Sequence, residues 1–190
     1  MFVDRVLFPV TALGPGNRIV MWTVGCRRMC PGCANPELWN PKPNQRIEVS
    51  KLAGIIRQTA INRHADGLTI SGGEPFDQSA ELLQLLKNLS DLNLDTLVFS
   101  GYRIEELRER KETSEVLEYI DVLIDGEYIR EQNDGKSTLR GSQNQRINYL
   151  SGKNRAAYEE YLLAGRQIQN FVYGDVILSV GIHTEDEKKG

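Results

Sequence analysis

The three cysteines of this chain constrain its fold and chemistry more than any other feature. Cys26, Cys30 and Cys33 form a C-x3-C-x2-C pattern directly after an apolar run at 19–24. That run predicts a buried strand, which Gly25 ends. The cysteines therefore belong to a loop at the end of a strand, where parallel α/β folds carry their functional groups.

Three thiolates on one loop indicate a metal centre with an open position. They are too few for a closed four-coordinate zinc site. A 4Fe–4S cluster normally has four cysteine ligands, so three would leave one iron open to a ligand from outside the protein. A zinc knuckle or a set of buried thiols is the alternative, although the two histidines, His64 and His183, lie far away in sequence. A disulfide is disfavoured because three is an odd number and no signal peptide precedes the cysteines.

Length and charge narrow the class of protein. The 190 residues predict a single domain at 1–184 with a disordered tail at 185–190. A closed eight-unit barrel typically takes about 250 residues, so the chain is too short for one. The net charge of −3 argues against a nucleic-acid partner. The N-terminal residues lack a secretory pattern and no apolar run approaches membrane-spanning length, so we expect no membrane association and a cytoplasmic protein.

Predicted strands and helices alternate along most of the chain, which indicates βα units and a parallel sheet. An edge strand is expected at 3–10. A helix is expected to begin at Ser50, with Ile55 on its apolar face, and another helical region to break near Thr113. The remaining predicted elements are strands at 67–71, 96–100 and 121–126, helices around 82–89, 103–119 and 154–165, a polar loop at 139–146, and a hairpin of strands at 168–173 and 176–182.

A second motif follows the predicted strand at 67–71. Gly72-Gly73-Glu74-Pro75 places two glycines where a ligand can approach the main chain, beside a carboxylate that can accept charge-assisted hydrogen bonds from an ammonium group. Together with the cysteine spacing, this run resembles the G-G-E-P motif of the radical S-adenosylmethionine (SAM) enzymes. The resemblance implies that the three cysteines bind three irons of a 4Fe–4S cluster, and that SAM occupies the fourth. It also implies that Gly72, Gly73 and Glu74 receive the SAM amino group.

Further stretches resemble one branch of that family, the activating proteins of anaerobic ribonucleotide reductase. They are the G-P-G-x-R lead-in at 14–18, the Cys-Pro-Gly-Cys form at 30–33, Ser100-Gly101-Tyr102, the D-x-L-x-D-G pattern at 121–126, the R-G-S-x-N-Q-R pattern at 140–146 and the closing run at 180–182. The resemblance implies that Ser100 and Asp125 contribute to the SAM site. Arg140, Asn144 and Arg146 are as consistent with a hydrogen-bonded loop clamp as with a role in the site.

One position departs from the wider family. Many radical SAM proteins carry an aromatic residue just before the third cysteine, near the adenine, whereas this chain has Gly32. Trp39 and Tyr102 are the candidates to cover the adenine instead. His64 is expected to lie at a helix end and His183 at the surface.

The resemblance implies a fold, a reaction and partners. The fold is an α/β, incomplete (β/α) TIM-like barrel of about five or six mostly parallel strands with a C-terminal hairpin. The reaction is reductive cleavage of SAM to a 5′-deoxyadenosyl radical, which removes a hydrogen atom from a backbone glycine of a glycyl radical enzyme. The electron donor is of the flavodoxin or ferredoxin type. Two other classes stay open: a radical SAM enzyme that modifies a peptide or small molecule, and a cluster-containing binding or electron-transfer module.

Overall fold

A computed structural model describes residues 1–183 of the chain, so the tail predicted at 185–190 lies outside the described residues. The strands are β1 Val3–Val10, β2 Arg18–Thr23, β3 Gly67–Gly72, β4 Asp95–Ser100, β5 Val122–Asp125, β6 Arg146–Tyr149, β7 Ile168–Tyr173 and β8 Val176–Gly181. The helices are α1 Val49–Arg63, α2 Ser79–Leu89, α3 Ile104–Glu109, α4 Lys111–Leu117 and α5 Arg155–Leu163. Within residues 1–183, no helix combines the length and the apolar character that crossing a membrane requires.

Six strands form one open sheet in the order β1-β2-β3-β4-β5-β6. Strands β2 to β5 are parallel, and the two edge strands β1 and β6 run antiparallel to their neighbours. Strands β7 and β8 pair only with each other, as an antiparallel hairpin. The expected incomplete barrel with a C-terminal hairpin is therefore confirmed. Because the four central strands are parallel, their carboxyl ends meet at one edge of the sheet.

Alternate residues of the central strands face two different layers. In β2, Ile19 and Met21 pack into the core that α1 and α2 cover, whereas Val20 and Trp22 face the other side of the sheet. Helix α2 buries the four leucines at 82, 85, 86 and 89, as its helical spacing predicts. Burying side chains of this size stabilises the fold by about 1.5–3 kcal/mol each.

Two late elements cover the other side of the sheet. Tyr158 of α5 packs on residues of β4 and β5. Residues of the hairpin, among them Leu178 and Val180, pack on Trp22 and Leu38. The hairpin also contributes one wall of a cavity described below.

A buried ion pair lies at the end of the sheet where β2, β3 and β4 begin. The Arg18 guanidinium is fully buried and donates to Asp95 Oδ2 at 2.7 Å, to Thr69 Oγ1 at 2.6 Å and to the Leu68 carbonyl at 3.1 Å. The Tyr158 hydroxyl donates to the same Asp95 oxygen at 2.6 Å. The G-P-G-x-R motif thus serves the base of the sheet, away from the strand ends that precede the cysteines.

Three local predictions are wrong. Strand β6 occupies residues predicted to be a loop or left unassigned; it is a short edge strand with polar residues, so it lacks the apolar alternation of a core strand. The helical region after Arg103 breaks at Arg110, which has an extended backbone, and not at Thr113. The Thr113 hydroxyl instead donates back to the Leu107 carbonyl, across the break. Helix α1 begins one residue before Ser50, after Glu48.

Candidate functional site

A cavity of about 210 Å³ lies at the carboxyl ends of β2, β3 and β4. All three cysteines line it, and so do Gly72, Gly73, Glu74 and Ser100. Residues 178–183, from β8 and the chain after it, line it as well. The structure therefore brings seven of the eight predicted site residues to one cavity, and the hairpin supplies part of its wall.

The cysteine loop presents three unpaired thiols. Cys26, Cys30 and Cys33 are each half-buried and form no disulfide. Burial raises the pKa of the Cys26 and Cys30 thiols above the ordinary value. The Cys33 sulfur accepts a hydrogen bond from the Asn35 N–H at 3.4 Å. A cluster or metal would have to compensate for the cost of ionising these thiols, since thiolates are the binding form.

The donor set fits an iron–sulfur cluster. Three thiols on one loop face one cavity, and thiolates are the usual ligands of iron in such clusters. Within residues 1–183, no group of three or more His, Cys, Asp or Glu side chains is arranged around a point where one metal ion could sit. A cluster does not need that convergence, because each cysteine binds a different iron.

Contacts from α3 and from the turn after β3 hold the cysteine loop. Asp77 accepts hydrogen bonds from the Arg27 N–H at 2.8 Å and from the Tyr102 hydroxyl at 2.9 Å. The Arg28 guanidinium lies 4.9 Å from the centre of the Tyr102 ring and 3.6 Å from a Glu106 carboxylate oxygen. Tyr102 therefore supports the loop from outside the cavity.

The two glycines of the second motif allow the end of β3 to contact the base of the cysteine loop. A Cβ atom at Gly73 would lie 2.3 Å from the Gly25 carbonyl oxygen, and one at Gly72 would lie 2.4 Å from that of Thr23. Two backbone hydrogen bonds join the segments: Gly73 N–H to the Thr23 carbonyl and Glu74 N–H to the Gly25 carbonyl, both 2.8 Å. The close approach that requires glycine is therefore made by the chain's own backbone.

The Glu74 carboxylate is buried and bonded to three donors. It accepts from the Gly101 N–H at 2.7 Å, from the Ser100 hydroxyl at 2.9 Å and from the Phe76 N–H at 3.1 Å. Burial raises the pKa of Glu74 to about 7, against the opposing effect of these three donors. The carboxylate thus ties the end of β3 to the end of β4, and it lines the cavity beside the cysteines.

Asp125 is the predicted site residue that does not line the cavity. Its carboxylate is fully buried, is paired with Arg146 and accepts from the Ile104 N–H at 2.8 Å. Burial opposes ionisation of Asp125, but hydrogen bonds from Arg146 and Ile104 outweigh it and lower the pKa of Asp125 below the ordinary value. A contact between Asp125 and SAM stays a prediction.

The R-G-S-x-N-Q-R stretch forms the predicted loop clamp. Asn144 Nδ2 donates to the Glu127 carbonyl and Gln145 Nε2 to the Gly126 carbonyl, both at 2.8 Å. Arg140 donates to the Gln145 carbonyl at 3.2 Å. These bonds fix the turn after β5, and Gly126 and Gln145 themselves line the cavity.

Sequence reasoning missed two parts of the site. His183, expected at the surface, is only partly exposed and lies in the cavity wall. Arg5 of β1 lines the cavity too, with its guanidinium 5.2 Å from the centre of the Trp22 ring. The sequence indicated only an apolar edge strand at 3–10, which gave no sign of this role. His64 does end α1, in a left-handed conformation, as predicted.

Comparison with known proteins agrees with this arrangement. Residues 12–148 match a family described as "4Fe-4S single cluster domain". The chain belongs to this family.

Similar members include three proteins named anaerobic ribonucleoside-triphosphate reductase-activating protein. The one from Vibrio cholerae is 33% identical over 148 residues, 74% of this chain and 93% of the relative. The one from Enterobacteria phage T4 is 34% identical over 155 residues, 77% of this chain and 93% of the relative. The one from Salmonella typhi is 30% identical over 151 residues, 75% of this chain and 96% of the relative. The resemblance expected from the motifs is thereby confirmed.

Proposed function

We propose that this protein activates anaerobic ribonucleoside-triphosphate reductase by generating a glycyl radical on it, with a 4Fe–4S cluster and SAM. One observation carries the proposal: the cysteine loop and the Gly72–Glu74 turn line one cavity and are joined by two backbone hydrogen bonds. The names of the relatives support the choice of partner. The family match supports the cluster.

The chain's residues divide the work at this cavity. Cys26, Cys30 and Cys33 would each hold one iron. The turn at Gly72–Glu74 would receive the amino group of SAM, with the Glu74 carboxylate favouring a cation nearby. When bound, the cluster would supply the electron for reductive cleavage of SAM, so that a hydrogen atom could be removed from the partner's glycine.

The surroundings of the cavity suit a protein substrate. The sheet is open, and the hairpin and the clamped turn after β5 bound the cavity without closing it. A partner's loop could enter and exclude water, which protects a reactive radical from side reactions. We propose a flavodoxin or ferredoxin as the electron donor, since the cluster would have to receive its electron from outside this chain.

The decisive experiment records the electron paramagnetic resonance spectrum of the partner. The cluster-loaded protein is reduced without oxygen and mixed with SAM and the large subunit of anaerobic ribonucleotide reductase. A doublet centred on glycine is expected, because one α-hydrogen stays coupled to the unpaired electron. Replacing the partner's radical-bearing glycine by Ala should abolish the doublet while some SAM cleavage persists.

Two other results would redirect the proposal. SAM cleavage that depends on a short peptide or small metabolite, with no radical on the reductase, would establish a modifying enzyme. Reversible cluster reduction with no SAM cleavage under any condition would establish an electron-transfer module.

A further inference from the structure

The structure explains why no aromatic residue precedes the third cysteine. Gly32 has a left-handed backbone with φ of 77°, which side chains with a Cβ rarely adopt. A Cβ at this position would also lie 2.6 Å from Arg130 Nε. The left-handed backbone therefore disfavours an aromatic residue at position 32, and an aromatic contact to a ligand in the cavity must come from elsewhere.

The two aromatic candidates occupy different places. The Tyr102 hydroxyl donates to Asp77 and its ring lies beneath the Arg28 guanidinium, outside the residues that line the cysteine cavity. Trp39 does line that cavity. Its carbonyl accepts the Cys26 N–H at 3.0 Å, so the backbone of Trp39 is tied to the first cysteine.

The Trp39 indole has a donor without a partner. Its Nε1 atom is buried and has no hydrogen-bond partner in the part of the chain that the structure describes. An indole N–H can only donate, and leaving a buried donor unpaired is costly and rare in native proteins. An acceptor supplied by a ligand in the cavity would satisfy it.

A second donor in the same wall indicates the kind of ligand. Arg5 Nε is likewise buried and without a partner among residues 1–183, and Arg5 lines the same cavity. Two uncommitted donors favour a ligand rich in acceptors. The nucleoside half of SAM carries ring nitrogens and ribose oxygens, and its flat base can stack on an aromatic ring. At the other end of SAM the ammonium group can only donate, and the family resemblance places the carboxylate on the open iron of the cluster.

We propose that the Trp39 indole N–H donates a hydrogen bond to the nucleoside half of SAM, and that Trp39 replaces the aromatic contact disfavoured at Gly32. This inference rests on the proposed function, because it requires SAM in the cavity. It assigns Trp39 as a ligand-binding residue and leaves Tyr102 as a support of the cysteine loop.

Equilibrium binding to the cluster-loaded, unreduced protein tests the proposal. Trp39→Phe keeps an aromatic ring and removes the N–H. It should retain wild-type iron and sulfide and bind SAM about 3- to 10-fold more weakly, the effect of one neutral hydrogen bond. Binding of 5′-deoxyadenosine should weaken by the same factor, and binding of methionine should not change. Tyr119→Phe, which loses a hydroxyl at a residue that does not line this cavity, should bind SAM like the wild type.

The outcomes separate this inference from the proposed function. If the wild-type protein does not bind SAM, the proposed function itself fails. If it binds SAM and Trp39→Phe binds within about twofold of it, the role of Trp39 is refuted. Weaker methionine binding with unchanged 5′-deoxyadenosine binding also overturns the inference. If Trp39→Phe loses the cluster, the same SAM-binding measurement is made with 3-benzothienylalanine at position 39, because this residue exchanges only the N–H group for sulfur.

Discussion

A single methyl group at Gly73 should uncouple the two halves of the site. The Cβ of Gly73→Ala would lie 2.3 Å from the Gly25 carbonyl oxygen and 2.9 Å from its carbonyl carbon. Both are backbone atoms, so the strand end and the cysteine loop must separate. The hydrogen bonds from Gly73 to Thr23 and from Glu74 to Gly25, each 2.8 Å long, would lengthen or break.

The expected cost follows from these contacts. Overpacking typically costs about 1–3 kcal/mol and each of the two backbone hydrogen bonds contributes about 1 kcal/mol, so Gly73→Ala should lower the free energy of unfolding by about 3–5 kcal/mol. For a chain of this length, that corresponds to a fall of roughly 6–20 °C in Tm. Since Gly25 adjoins Cys26, iron retention and SAM binding should fall as well.

Gly54→Ala is a matched control with the opposite expected sign. Gly54 lies on the exposed side of α1, and a Cβ there would meet nothing within 4 Å. Ala is a better helix former than Gly, so the free energy of unfolding of this variant should rise by about 1 kcal/mol. Thermal and urea unfolding, with iron analysis, compare the two. A Gly73→Ala protein that unfolds within about 1 kcal/mol of the wild type and keeps its iron would refute the reasoning.

Three further predictions follow from the site and its supports. Replacing Cys26, Cys30 or Cys33 by Ala should abolish the cluster or leave it inactive, measured as iron and sulfide after anaerobic reconstitution; stoichiometric zinc in the wild type with no cluster would contradict this. Glu74→Gln should keep the cluster and weaken SAM binding roughly tenfold to a hundredfold in calorimetry, through loss of a charge-assisted hydrogen bond; unchanged affinity would remove Glu74 from the SAM site. Arg146→Met should destabilise the protein most at neutral pH. Hydrogen bonds from Arg146 hold the pKa of Asp125 and Glu105 below their ordinary values, so the stabilisation is present above those values and is lost as pH falls through the lowered ones. Urea unfolding at decreasing pH should show a shrinking difference in the free energy of unfolding between the wild type and Arg146→Met. A difference that stays constant with pH would contradict this prediction.

Strong periodic patterns predicted the core elements well. The four leucines of α2 are all buried, as their spacing indicates. The spacing in α1 also placed Ile55 on the apolar face, yet Ile55 is 42% exposed. A helical wheel cannot tell how wide a stripe the neighbouring layer covers, and here the sheet and α2 leave Ile55 outside.

The motifs predicted the location of the site correctly, but they did not predict why their residues are needed there. The glycines at 72 and 73 suggested a ligand approaching the backbone, whereas the atoms that approach are those of Thr23 and Gly25. That contact joins segments about 50 residues apart in the chain, and only the fold brings them together. The late hairpin wall escaped prediction for the same reason.

The position of Arg18 has a consequence for how such proteins are recognised. The G-P-G-x-R run ends in a guanidinium that holds together the starts of three strands, while the cysteines lie beyond the end of β2. Removing one partner of a buried pair such as Arg18 and Asp95 typically costs about 3–5 kcal/mol. Selection for folding alone would therefore preserve this run. A descendant that had lost its cysteines would still carry it, so the run indicates the architecture, whereas the cysteines indicate the chemistry.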